Sequence, residues 1–180
     1  MQIQQFVNLF KNKVDELVDS GIIVPSKRER YTPKEWLYDL GDWTFLFNCA
    51  TFDLVKEHNQ RNKTNLAICA EPEVNRTPTG RGGYSDLLIC SADGNQEFIA
   101  IEHENSPHKR LSKTVAKLSN LKANAKLIIT YYFDDYTEDQ IVTDLKIYVK
   151  RYFHENEVLH LLIAKCDTDD GKDYEYLSIR

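Results

Sequence analysis

The sequence lacks the features that mark several classes of protein. Its four cysteines, at positions 49, 69, 90 and 166, form no C-x-x-C pair, so neither a zinc ribbon nor a disulfide framework is indicated and we expect buried, reduced thiols. The longest apolar runs fall far short of the roughly 20 residues that a membrane helix needs. The N-terminal residues contain no apolar signal-peptide stretch. We therefore expect an intracellular, cytoplasmic protein with no membrane partner.

Basic residues are not in excess either. The chain has 28 acidic and 23 basic side chains, a formal charge of −5. That balance argues against binding nucleic acid over the whole surface, because such binding depends on Lys and Arg neutralising phosphates. The charge is unevenly distributed, however: residues 134–144 hold five acids and no base, and residues 105–126 hold six bases and no acid. Any contact with nucleic acid is expected on one basic surface, with residues 134–144 facing away.

No linker, internal repeat or low-complexity tract divides the chain, so we expect residues 1–180 to form a single domain. Its 42% of hydrophobic residues can supply a core without metal or disulfide cross-links. Apolar residues at helical spacing predict four helical segments. These cover about 3–19, 34–59 with a possible division at Gly41-Asp42, 109–123, and a segment that begins near Thr137 with a Thr-x-x-Gln capping box.

Short apolar runs between the helical segments predict strands. They are NLAICAE, YSDLLICS and EFIAIEHE between residues 65 and 104, then 126–133, and a C-terminal hairpin of 157–165 and 173–179 turned by Asp169-Asp170-Gly171. The Asp93-Gly94 pair between two of these runs is a strong hairpin signal. Both faces of EFIAI are apolar, which favours an interior strand covered on two sides. The predicted fold class is therefore α/β, with helices on both faces of a sheet.

Three acidic residues meet in the predicted hairpin. Glu102 and Glu104 share a face at the end of an apolar strand, while His103 points the opposite way. Counted outward from the turn at 93–95, Asp86 and Glu102 are each seven residues away, so antiparallel pairing brings them opposite each other. Adjacent carboxylates repel and are costly to desolvate unless a proton or cation compensates. Oxygen ligands without a Cys or His group favour Mg²⁺, or Mn²⁺, over zinc.

The order of these features has a counterpart in a known family. An upstream acid, a Gly-rich turn at 80–83, Asp86, the hairpin, Glu102-x-Glu104, a basic helix and a further strand follow one another. This order resembles the PD-(D/E)XK phosphodiesterase superfamily, which includes many type II restriction endonucleases, over a core of about residues 35–133. The resemblance implies a restriction-endonuclease-like α/β/α domain with a central mixed sheet. The N-terminal helix, the C-terminal helix and the C-terminal hairpin would be additions to it.

The resemblance also implies roles for particular residues. Asp86 and Glu102 match the two acids that bind metal in the family. Glu104 stands where the family most often has Lys, so that it would be a further ligand or a water-orienting base. Lys109 or Lys113 from the following helix would then supply the missing positive charge. The additional upstream acid would be Glu71 or Glu73, of which Glu71 is favoured.

The implied activity is hydrolysis of DNA phosphodiester bonds by a Mg²⁺-dependent endonuclease of the restriction or repair type, working as a homodimer or with a partner subunit. Basic residues that would hold phosphates are Lys27, Arg28, Arg30, Arg76, Arg81, Lys109, Arg110, Lys113 and Lys117. Two alternatives remain open. The same fold without catalysis could serve as a module that binds nucleic acid or a protein. Alternatively, the chain could be a regulatory or structural domain in which the three carboxylates are ordinary surface residues.

Overall fold

The structure, a computed structural model, describes residues 1–20, 40–70, 73–74, 83–84, 86–104, 107–132, 134–165 and 174–180. These ranges contain four α-helices: α1 (Ile3–Asp19), α2 (Leu40–Asn62), α3 (Pro107–Ser119) and α4 (Glu138–Tyr152). They also contain eight strands: β1 (Leu66–Ala70), β2 (Glu73–Val74), β3 (Gly83–Tyr84), β4 (Leu87–Ser91), β5 (Glu97–Glu104), β6 (Ala125–Tyr132), β7 (Leu159–Lys165) and β8 (Glu175–Ile179).

Six of the strands form one mixed sheet in the order β1-β4-β5-β6-β7-β8. The pairs β1/β4, β4/β5 and β7/β8 are antiparallel, whereas β5/β6 and β6/β7 are parallel. Parallel neighbours need a crossover connection, and α3 and α4 supply the two that are required here. The strands β2 and β3 form a separate two-stranded ladder.

Helices cover both faces of this sheet, because the central strands are apolar on both sides. On one face, the apolar sides of α1 and α2 pack on β5 and β6 in a cluster that includes Phe6, Phe10, Phe47, Ile101 and Ile129. On the other face, α3 and α4 pack on the same strands in a cluster that includes Leu111, Val115, Ile141, Ala100 and Ile128. The predicted three layers of helix, sheet and helix are therefore confirmed.

The helices agree with the periodicity of the sequence except at their ends. The helix predicted at 109–123 begins two residues earlier, at Pro107, whose fixed φ suits a first helical turn. It ends at Ser119, although Leu121 remains buried in the turn that follows. The helix predicted at 34–59 is described from Leu40 and continues to Asn62. Its end is marked by Lys63, whose φ of 52° is left-handed.

The hairpins also follow the sequence. Gly94 has a φ of 72° and its N–H donates to the carbonyl of Ser91, which closes the predicted turn between β4 and β5. The C-terminal hairpin is the antiparallel pair β7/β8, with its predicted turn outside the described residues. The short pair β2/β3 was not predicted. No helix of the described ranges is both long and apolar enough to cross a membrane.

The expectation of buried thiols is only partly met. Cys49, Cys69 and Cys90 are free thiols, and Cys90 is buried. Cys69, however, is exposed, because it lies near the end of the edge strand β1, where the last two residues reach the surface. Cys166 lies outside the described residues.

The capping box predicted at Thr137 is present. The Thr137 side chain accepts from the backbone N–H of Gln140, and the Gln140 side chain accepts from the backbone N–H of Thr137. We expect Thr137→Ala to lower the free energy of unfolding by about 1 kcal/mol, because the backbone N–H of Gln140 in the first turn of α4 loses its side-chain acceptor. Urea denaturation followed by circular dichroism measures this change. The control is Thr143→Ala at an exposed position inside the same helix, which should be neutral or slightly stabilising. Equal destabilisation by both substitutions would contradict the capping role.

Candidate metal centre

The β4/β5 pairing places Asp86 beside Glu102. Leu87 is paired with Ile101, so that one further step along the ladder sets Asp86 against Glu102. A register shift between Ile89 and Cys90 leaves one extra residue on β5. With this residue included, Asp86 and Glu102 still fall opposite each other, as the count of seven residues on either side of the turn predicts. The register therefore agrees with the predicted juxtaposition as far as Leu87 and Ile101, one step short of Asp86 and Glu102.

Asp86 takes up a specific position just before β4. Its Oδ2 accepts a hydrogen bond of 2.7 Å from the backbone N–H of His103. Asp86 directly precedes the first residue of β4. Its carboxylate accepts a backbone hydrogen bond that a main-chain carbonyl would accept if the ladder continued. This contact holds a negative charge at the C-terminal end of β5, between the positions of Glu102 and Glu104.

Glu102 and Glu104 share the face of β5 that α3 covers. They are only 3% and 7% exposed. Glu102 Oε2 lies 2.6 Å from Lys117 Nζ, and Glu104 Oε2 accepts a hydrogen bond of 2.7 Å from Thr114 Oγ1. The alternative of ordinary surface carboxylates is therefore wrong for these two residues. Their burial is costly, and the contacts with α3 offset that cost.

The lysine that contacts Glu102, Lys117, lies in a later turn of α3 than Lys109 and Lys113. Thr114 contacts Glu104 and Lys117 contacts Glu102, which shows that α3 runs back along β5. The second half of the helix consequently faces the acids. Lys109 and Lys113, which would replace the family's usual lysine, are exposed in the first half of α3, and that role stays a prediction.

Two threonines near the carboxylates were missed by the sequence reasoning. Besides Thr114, the hydroxyl of Thr130 on β6 donates to the backbone carbonyl of Glu104 at 2.7 Å, and both threonines are buried. A signal for Thr114 was present, because it falls within the apolar stripe of Leu111, Val115 and Leu118. A hydroxyl in such a stripe needs a buried partner, and the partner here is a carboxylate.

The donor set fits a hard divalent cation in its chemistry. Asp86, Glu102 and Glu104 offer carboxylate oxygens at one end of β5, with no thiolate or imidazole among them, as Mg²⁺ and Mn²⁺ prefer. No group of three His, Cys, Asp or Glu side chains close enough to hold a metal ion occurs within the described ranges. Glu71 lies outside those ranges, and only the backbone of Glu73, in β2, falls within them. The described carboxylates thus suit a hard cation in ligand type, but by themselves they do not form a complete metal-binding group.

His103 lies on the opposite face of β5, as the alternation of the strand predicted. Its ring packs edge-on against Phe47 with 4.5 Å between centroids, and its Nε2 is 3.2 Å from the hydroxyl oxygen of Tyr131. Burial lowers the pKa of His103 to about 3, so the ring is neutral at pH 7. His103 therefore contributes its backbone N–H to the site and its side chain to the core.

The predicted phosphate-binding residues fall into two groups. Lys109, Arg110 and Lys113 are exposed on α3, and the side chain of Lys117 is 27% exposed. The remaining predicted residues lie outside the described ranges: Lys27, Arg28, Arg30, Arg76 and Arg81.

The acidic segment at 134–144 does not simply face away from the carboxylates. Its first residues follow β6, whose C-terminal end lies at the same edge of the sheet as that of the parallel strand β5. The Tyr136 ring is 6.2 Å from the ring of His108 in the first turn of α3. The expectation that this segment lies on the far side is therefore not met for its first residues.

Comparisons with known proteins do not extend this picture: no protein-family model matches the chain, and no curated protein or solved structure is significantly similar to it.

The buried, neutral ring of His103 predicts a pH dependence of stability in metal-free buffer. Its folded pKa of about 3 is below the unfolded value of 6.5, so the unfolded state binds more protons between these values and stability falls as pH falls below 6.5. Between pH 7 and pH 5, wild type should lose up to about 2 kcal/mol more free energy of unfolding than His103→Gln, which does not titrate there. Urea denaturation at several pH values measures the difference. Parallel pH profiles for the two proteins would contradict the neutral buried ring.

Proposed function

We propose that this protein is a metal-dependent DNA endonuclease with a restriction-endonuclease-like fold. The observation that carries the proposal is the juxtaposition of Asp86 and Glu102 at one end of a buried hairpin, with Glu104 buried on the same strand. Isolated surface acids would not be held in this way. A cluster of acids at the edge of a rigid sheet is suited to binding a divalent cation close to a phosphate.

The order of the elements supports the same proposal. The hairpin β4-β5, the crossover through α3 to the parallel strand β6, and the helices on both faces agree with the order that the resemblance to the PD-(D/E)XK superfamily implies. The acids occur at the same points of that order. The same order of strands occurs in proteins with many different activities. The proposal of nuclease activity therefore rests on the positions of Asp86, Glu102 and Glu104.

In the proposed mechanism, Asp86 and Glu102 would hold Mg²⁺ or Mn²⁺, with Glu71 as the upstream acid. The cation would supply Lewis acidity toward the phosphate and toward water. The backbone N–H of His103 donates to the carboxylate of Asp86 and thereby orients this carboxylate for metal binding. Glu104 is oriented by Thr114 and serves as a further ligand or as the base that orients the attacking water.

The DNA backbone would be held by the exposed face of α3. Lys109, Arg110 and Lys113 project from a helix that carries no acidic residue. Such contacts position the phosphates without reading the base sequence. The acidic residues that follow β6 would restrict DNA to the side of α3 away from Tyr136.

A second candidate function has its own supporting observation. The described carboxylates contact the protein itself: Asp86 the N–H of His103, Glu102 the ammonium of Lys117, and Glu104 the hydroxyl of Thr114. Contacts of this kind can hold the fold together without a metal. They favour a catalytically inactive module of the same fold that binds nucleic acid or a protein.

Nuclease activity separates the two candidates. The purified protein should cut plasmid or linear DNA in Mg²⁺ or Mn²⁺, and Asp86→Asn should reduce the rate at least 100-fold. Asn keeps an oxygen that can accept the hydrogen bond from His103 N–H, so the loss would come from the missing charge. The matched control is Asp139→Asn, which removes an exposed charge in the first turn of α4 and should cut like wild type. Absence of cleavage by wild type, or equal cleavage by Asp86→Asn, would remove the endonuclease proposal.

DNA binding tests the role of α3 separately. A triple variant with Gln at 109, 110 and 113 should bind DNA more weakly, and the slope of log affinity against log salt should become shallower by about 2 to 3. The control replaces Lys146, Lys150 and Arg151 with Gln, which removes the same number of exposed charges from α4. Fluorescence anisotropy across a salt series gives both slopes. If the two triple variants lose the same DNA affinity and show the same change in salt slope, α3 has no special role in binding DNA.

A further inference from the structure

The ion pair between Lys117 and Glu102 joins the surface of α3 to the interior of the sheet. The side chain of Glu102 is 4% exposed and that of Lys117 is 27% exposed. The carboxylate is thus fixed inside the protein, whereas the lysine reaches it from the rim. Of the two partners, the lysine has access to water.

This pair has a direct consequence for metal binding. Lys117 Nζ lies 2.6 Å from an oxygen of the carboxylate that is proposed to bind the cation. An ammonium group and a divalent cation carry charges of the same sign, so the two repel each other when they share one carboxylate. Repulsion is strong at a site with little water, because screening is weak there.

We propose that Lys117 is a positioning residue that sets the affinity of the site for divalent cations. Its ammonium group holds Glu102 in the metal-free protein, and it must share or leave that carboxylate when a cation binds. This inference rests on the metal site of the proposed function. This role differs from the one predicted for Lys109 or Lys113, which is to replace the lysine that the family most often has at the position of Glu104.

The position of Lys117 suits such an exchange. Its neighbours Thr114, Val115 and Leu118 are buried and hold the backbone of α3 against the sheet. Its own four-carbon side chain is flexible and ends in a strongly hydrated group. The ammonium can therefore move into water by side-chain rotation alone, while Glu102 remains in place on β5. Metal binding would not require movement of the helix.

The test is calorimetric titration of the full chain with Mn²⁺. Lys117→Met keeps much of the length of the side chain and removes the competing charge, so Mn²⁺ should bind at least tenfold more tightly than to wild type. The matched control is Lys122→Met, which removes the same charge from an exposed position just after α3 and should leave the affinity within about twofold of wild type.

A second measurement covers the case in which Lys117→Met is poorly folded without metal, since it leaves Glu102 buried without its ion-pair partner. Mn²⁺ should then raise the melting temperature of Lys117→Met more than that of wild type, as read by circular dichroism. Lys117→Arg, which keeps a positive charge at this position, should show a shift no larger than that of wild type.

The outcomes distinguish this inference from the proposed function. If wild type binds Mn²⁺ at one saturable site that Asp86→Asn abolishes, but Lys117→Met binds no more tightly than wild type, the role of Lys117 is refuted and the metal site stands. If neither wild type nor Lys117→Met has a saturable site, both are refuted.

Discussion

The buried carboxylate of Glu102 is the constraint on which the proposed site depends. A carboxylate that is 3% exposed requires a compensating positive charge or proton, because its hydration is lost on folding. Lys117 supplies the positive charge from a helix that its buried residues Thr114, Val115 and Leu118 hold against the sheet. The contact between Thr114 and Glu104 sets the same alignment one turn earlier in the helix. Electrostatics and packing therefore agree on one position for α3, and this position leaves the basic first half of the helix exposed at the end of β5.

The strand β5 links this arrangement to the rest of the molecule. One of its faces carries Glu102 and Glu104 against α3, and the other carries His103 against Phe47 of α2 and Tyr131 of β6. The backbone N–H of His103 in turn holds Asp86. The core on the face of α1 and α2 thereby fixes the strand that positions the acids on the other face. Rigidity at this point suits a site that must hold like charges close together.

Much of the fold could be predicted from the sequence, because the signals involved are local. The Asp93-Gly94 turn set the register that places Asp86 beside Glu102, and Thr137 marked the start of α4. The partner of Glu102 could not be predicted in this way. Helical periodicity says which residues of α3 face the sheet, but the depth and direction at which the helix lies on β5 come from tertiary packing. For that reason the ion pair between Glu102 and Lys117, one to two turns beyond Lys109 and Lys113, did not follow from the sequence.

Asp86, Glu102 and Glu104 are proposed to form a divalent-cation site at the end of β5. Nuclear magnetic resonance of ¹⁵N-labelled protein with substoichiometric Mn²⁺ tests it most directly, because the paramagnetic ion broadens the amide signals of nearby residues. The amides of Asp86 and of residues 102–104 are expected to broaden first, and Asp86→Asn should abolish the effect. First broadening at the acidic segment 134–144, with residues 102–104 unaffected, would contradict it.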